Sequence, residues 1–399
     1  MPVVYSGAPY HQQDGYDFCG QAVAQMVLGS LGRDLGDQRT MRRQASIKHP
    51  DTTPEELCLN LNPASGGADF GVCSDLTARD GVLRISGGIA ELGPAVPALV
   101  LDGGHWIAVT GVSYDGDPSS ASSGVMGFFI HDPEPQNPRF PCPESGRVIA
   151  RPHQIDDTCG IFPPRCSTDY GSGNTFVTMY EWLNFYWRSP SRRGTFVSIR
   201  RGAQASGPLR GSISDVPPQV VPAGSVLSKP EACVAAMAGI ERYGLRDPGS
   251  PLAAAVAGVE ARPEDVYTIA ERPGNGQLGS SEPYYLVMLR RGHEPVANVR
   301  VGCADGRFLS LQAPRSDVPG PSQMYDFAKA ALARYASQTH NLDVLVIPDR
   351  RYTLHPTLVW RPCRQSMSPF YPFVQINLAG SLAYASLDGR VHSRLERHR

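Results

Sequence analysis

The sequence predicts an α+β fold in which one helix packs on an antiparallel sheet, followed by a second, mixed α+β domain. Three observations carry that expectation. Ala22, Val23, Met26, Val27 and Leu31 recur at three- and four-residue spacing, the period of one buried helix face. Residues 105–112 and 125–130 are rich in β-branched and aromatic residues and flank a loop of Gly, Ser, Asp and Pro, the pattern of two paired strands. From Ser189 the composition shifts to arginines set among Gly, Ser and Pro, after which helical and strand-like stretches begin afresh. The expected organisation is a first domain over 1–188, a linker over 189–230 and a second domain over 231–399, and a chain of 399 residues suits two such units.

The first helix opens on Cys19-Gly20, with Asp17 as the expected N-cap and Gly32 as a left-handed stop. A cysteine in a first helical turn sits where unpaired backbone N–H groups and the helix dipole favour negative charge, so a thiolate is stabilised there. Farther on, Val96 to Leu101 reads as a strand leading into the turn Asp102-Gly103-Gly104, and His105 heads the next strand. Pairing that strand with 125–130 about the loop midpoint sets His105 opposite a residue within two positions of Asp132. Thiol acyl-transfer chemistry needs these parts: a thiolate to attack a carbonyl, an imidazole to move its proton, and a carboxylate to orient the imidazole. Gln13, six residues before Cys19, offers a side-chain amide to a developing oxyanion beside the Cys19 backbone N–H.

With Gln13-x5-Cys19-Gly20, Gly104-His105-Trp106-x-Ala108-Val109-Thr110-Gly111 and His131-Asp132-Pro133 in that order, the first half resembles papain-like cysteine peptidases. More narrowly, it is similar to the bacterial C39-like family that trims double-glycine leader peptides. The resemblance implies a papain-like first domain, Cys19 as nucleophile, His105 as base, Asp132 as its orienter and Gln13 as oxyanion donor. It implies cleavage of a peptide or isopeptide bond through an acyl-enzyme, with a peptide or protein as substrate. Two alternatives stand beside it: acyl transfer to an amine by the same residues, and a peptide-binding module that holds a leader without cutting it. Gln21 stands where relatives often carry Pro or a bulky residue.

The remaining chain sets limits. Lys plus Arg (37) nearly balance Asp plus Glu (38), so no nucleic-acid partner is expected. No basic start leads into an apolar core and no apolar run is long enough to cross a bilayer, which points to the cytoplasm and to no membrane partner. Nine cysteines are too sparse for a disulfide scaffold, and their odd number leaves a free thiol. Cys142, His153, Cys159 and Cys166 in the proline-rich stretch 133–173 match no compact ligand spacing, so neither metal nor cofactor is expected, and the stretch reads as a lid or a loop.

Thr53-Pro54-Glu55-Glu56 and Thr178-Met179-Tyr180-Glu181 are capping boxes; the second opens a helix with Trp182, Phe185 and Tyr186 on one face. Within 189–230 one short strand is expected at 195–199. In the second half, 231–240, 262–267 and 322–335 read as helices, and 284–289, 296–301, 308–311, 342–347, 373–378 and 381–387 as strands. Asp305-Gly306-Arg307 and Asp388-Gly389-Arg390 hint at a duplicated unit, whose role would be recognition of substrate or of a protein partner.

Overall fold

The computed structural model describes residues 2–133, 172–214, 226–271, 283–313 and 357–395, apart from 14–17, 34–35, 48–51, 68, 119, 121–122, 192–193, 203–210, 362, 364–367, 379–380 and 387–390. The expectations for the 134–171 loop and its cysteines and histidine, for helix 322–335, for strand 342–347 and for Asp388-Gly389-Arg390 lie outside the described residues.

In chain order the elements are β1 (Val3–Tyr5), α1 (Cys19–Ser30), α2 (Gln38–Gln44), α3 (Pro54–Ala64), β2 (Phe70–Asp75), α4 (Ala78–Leu92), β3 (Val96–Val100), β4 (His105–Tyr114), β5 (Gly124–Asp132), β6 (Ser172–Thr178), α5 (Met179–Glu181), β7 (Phe196–Arg201) and β8 (Ser212–Ile213). They continue as α6 (Lys229–Arg242), α7 (Ala253–Val256), β9 (Glu260–Glu271), β10 (Tyr284–Arg291), β11 (Glu294–Gly302), β12 (Phe308–Gln312), β13 (Thr357–Trp360), β14 (Phe373–Leu378), β15 (Ser381–Ala385) and β16 (Val391–His392). The fold is α+β.

Two compact units divide the chain: 1–134 with 171–267 and 282–314, and 135–170 with 268–281 and 315–399. This differs from the division drawn from composition at 189–230. Residues 231–267 and 282–314 pack with the first half because β12 pairs with β6, Leu311 opposite Phe176. The expected linker contributes β7, an inner strand flanked by β3 and β2, and β8, which runs parallel to β5.

The first unit's sheet runs β10-β11-β12-β6-β5-β4-β3-β7-β2, and every neighbouring pair along that path is antiparallel. A group made by α6, Leu252, Val256 and strands β10 to β12 buries Ala236, Ile240, Val287, Val299 and Leu311. A second group gathers Val82, Ile85 and Ile89 of α4 on Ile107, Val109 and Phe128, closed by Trp182 and Trp187. A third sets α1 against α3, Trp106 and Val197. The α1 helix is buried on more than the expected stripe, since Gly20 to Ala24 and Met26 to Leu28 are all inside, as suits a helix enclosed by neighbours. In the second unit, β14 and β15 form the expected hairpin, and Val359, Cys363, Phe373 and Leu395 make a small core.

Three local expectations change. Residues 262–267 belong to β9 and not to a helix. The run Val266-Tyr267-Thr268-Ile269 favours extended backbone, and Asp265 is clasped by Arg290 of β10 through Nε at 2.6 Å and Nη2 at 2.9 Å. After β6, Thr178 accepts from the Glu181 N–H, but the chain makes one short turn and then a wide π turn over Trp182–Tyr186. The Glu181 side chain turns from the cap to a buried ion pair with Arg300 of β11. The N-cap of α1 is Phe18, without a side-chain cap bond; Asp17 is among the residues not described.

Candidate catalytic site

Cys19 lies at the first position of α1 and is partly exposed, while the residues that follow it are buried. Gly32 ends the helix region with φ +68°, as its sequence position suggests. His105 begins β4 after a turn in which Leu101 (φ 55°) and Asp102 (φ 60°) both occupy the left-handed region. Such backbone costs about 1–3 kcal/mol per non-glycine residue and gathers at functional sites. Asp102 is held by a hydrogen bond from the Ser189 hydroxyl, and Leu99 accepts from the Trp187 indole N–H at 2.9 Å.

The β4–β5 ladder sets Ala108 opposite His131. One step further along it, Ile107 would face Asp132, so His105 is the diagonal neighbour of Asp132 on the same face, within reach of a side-chain contact. His105 Nε2 lies 2.8 Å from Asp132 Oδ1, and both residues are buried. Cys19 is the other side chain that acts on the His105 ring, favouring its charged form. With Nε2 given to the carboxylate, Nδ1 is the nitrogen left for sulfur. Burial disfavours a charged imidazole here, but the Asp132 carboxylate, its hydrogen bond to the ring and Cys19 outweigh it, holding the His105 pKa well above the ordinary histidine value.

Gln13 is placed by the N-terminal segment. β1 pairs with β4, Tyr5 opposite Gly111; the Ser6 N–H donates to Thr110 O at 2.8 Å, and the Gln13 N–H donates to Pro133 O at 2.8 Å. Pro9 lies against α1 at Gly29, where a Cβ would come within 2.3 Å of its ring. The residue expected to bind the oxyanion is therefore tied by its backbone to the neighbour of Asp132, and it is buried. All four residues expected from the sequence are described, and three of them, Cys19, His105 and Asp132, form one electrostatically coupled chain with the His105–Asp132 hydrogen bond at its centre.

Beside this chain, His131 is buried. It shares a hydrogen bond with Asn174 Oδ1 at 3.1 Å and meets the Tyr10 ring edge-on at 5.7 Å. Asn174, at φ 58°, also accepts from the Tyr5 hydroxyl at 3.0 Å. Burial pushes the His131 pKa down to about 4, against the opposing effect of its hydrogen bonds.

Sequence reasoning missed Thr52. Its hydroxyl accepts from Gln21 Nε2 at 3.1 Å and its carbonyl from the Trp106 indole N–H at 2.8 Å. The only sequence signal at this place was the helix start at Thr53, whose capping box with Glu56 is formed. Among the described residues no group of three or more His, Cys, Asp or Glu could hold a metal ion, and no helix is long and apolar enough to cross a membrane. No family model matches the chain, and no curated protein and no solved structure matches it.

Proposed function

We propose that the chain is a papain-like cysteine peptidase that cleaves a peptide or isopeptide bond through a Cys19 acyl-enzyme. The reading rests above all on His105 Nε2 lying 2.8 Å from Asp132 Oδ1 in a buried pair on which Cys19 also acts. A protonated His105 beside Cys19 makes a thiolate–imidazolium pair, in which sulfur attacks the substrate carbonyl carbon. The carbonyl oxygen takes the negative charge and is met by the Cys19 N–H and the Gln13 side-chain amide. As the C–N bond breaks, His105 gives its proton to the departing amine. Water then attacks the thioester carbonyl, His105 takes the proton of that water, and the thiolate is released with the new carboxylic acid. Asp132 holds the ring in one tautomer throughout.

The test is intact-mass measurement after exposure to a peptidyl electrophile at several pH values, on wild type, Cys19→Ala and His105→Ala. One adduct on wild type, none on Cys19→Ala and labelling slowed at least about a hundredfold at neutral pH in His105→Ala are expected. Equal labelling of wild type and Cys19→Ala would sink the reading.

A further inference from the structure

Cys19 opens α1 and His105 opens β4, so something must set the gap between the start of α1 and the start of β4. We propose that Thr52 is that spacer, and that Thr52, Gln21 and Trp106 are positioning residues for the thiol–imidazole pair. The inference rests on the peptidase reading above and names what adjusts its site.

One residue beside each member of the pair is hydrogen-bonded to Thr52. On the thiol side, Gln21 lies two residues after Cys19, is fully buried, and donates to the Thr52 hydroxyl at 3.1 Å. Between them Gly20 leaves room for this approach: a Cβ there would lie 2.7 Å from Thr52 Cβ and 2.8 Å from its Cγ2 and Oγ1. On the imidazole side, Trp106 follows His105 directly, is 1 % exposed, and donates its indole N–H to the Thr52 carbonyl at 2.8 Å.

The spacer is itself anchored. The Thr52 carbonyl and the Thr53 N–H belong to one planar peptide unit. While Trp106 holds the carbonyl, Glu56 Oε2 accepts from the Thr53 N–H at 2.8 Å as half of the α3 capping box. The peptide plane is thus fixed at both edges by groups from β4 and α3, and the Thr52 hydroxyl is presented to α1 from a fixed frame. This gives Gln21 a role, at a position where the resembled peptidases often carry Pro or a bulky residue.

The experiment follows the rate of Cys19 alkylation by iodoacetamide against pH, by intact mass, in the full chain. It compares wild type, Thr52→Val, Thr52→Ser, Gln21→Leu, the Thr52→Val/Gln21→Leu double variant and His105→Ala, each checked for cooperative unfolding. Thr52→Val keeps the shape and loses the hydroxyl. It should slow labelling at neutral pH by about tenfold or more, since small misplacements of reacting groups are costly, and should shift the pH profile toward that of His105→Ala. Thr52→Ser should restore the rate, and the double variant should be no slower than either single one, because both remove the same bond.

Folded Thr52→Val and Gln21→Leu proteins that label with the wild-type rate and pH profile, while His105→Ala is slow, would overturn the spacer and leave the peptidase reading standing. Wild type and His105→Ala labelling alike would overturn both.

Discussion

His131 and His105 lie close in the fold and respond to acid in opposite senses. His131, pushed to about 4 from the ordinary 6.5 by burial, folds in its neutral form. The unfolded chain therefore binds the extra proton first, and the stability His131 contributes is present above the ordinary value and lost as pH falls toward about 4. The full loss amounts to about 3 kcal/mol. His131→Gln, which keeps a donor for Asn174, should flatten this acid limb when urea midpoints are compared at about pH 7 and about pH 4.5; an unchanged limb would refute it. For His105 the sign reverses. Its pKa is raised by the carboxylate and thiol contacts that outweigh burial. Its contribution is complete below the ordinary histidine range and disappears as pH rises through the raised value.

At the scale of elements, α6 shows how a small residue sets a contact. Gly239 faces Phe308 of β12, and a Cβ there would come within 2.0 Å of the ring. Gly239→Ala should therefore destabilise by about 1–3 kcal/mol through overpacking, although alanine is the better helix former by about 1 kcal/mol. Thermal unfolding would show a lowered midpoint; a raised one would mean that the helix shifts to accommodate the methyl group. The helix itself was legible from the alanine-rich run 231–240, while its capping box of Ser228 and Glu231 around Pro230 straddles the end of the stretch read as linker; for α3 the box of Thr53 and Glu56 was the signal. The hairpin β4–β5 was legible from its loop, and with it the meeting of His105 and Asp132. Strand β9 was not, since Pro263-Glu264 imitates a helix start and only the neighbouring β10 supplies Arg290 to hold Asp265 extended. Thr52 was hidden for a related reason: its partners Gln21 and Trp106 lie 31 and 54 residues away, and no local pattern announces them.

For the first unit, the composition shift at 189–230 does not end the fold, because β7 lies inside its sheet between β3 and β2. The buried ion pair between Arg300 and Glu181, with Arg300 also over the Tyr284 ring at 4.4 Å, ties β11 to the turn after β6. Arg300→Met should cost about 3–5 kcal/mol by leaving Glu181 charged and buried, and adding Glu181→Gln should recover much of it; denaturant unfolding of the two variants decides. A chain cut after residue 230 should lose cooperative unfolding altogether, because β6 loses its β12 neighbour. A folded, cooperative fragment would restore the two-domain division. The same pairing bears on synthesis. When Thr178 leaves the ribosome, the end of β12 is still about 134 residues from completion, which at about 5–20 residues per second is on the order of seven to thirty seconds. Throughout that interval one edge of β6 presents unpaired N–H and C=O groups. A nascent chain that already holds Cys19, His105 and Asp132 thus waits for a strand from much farther along before its sheet is closed, and in that window it depends on whatever in the cell shields open strand edges.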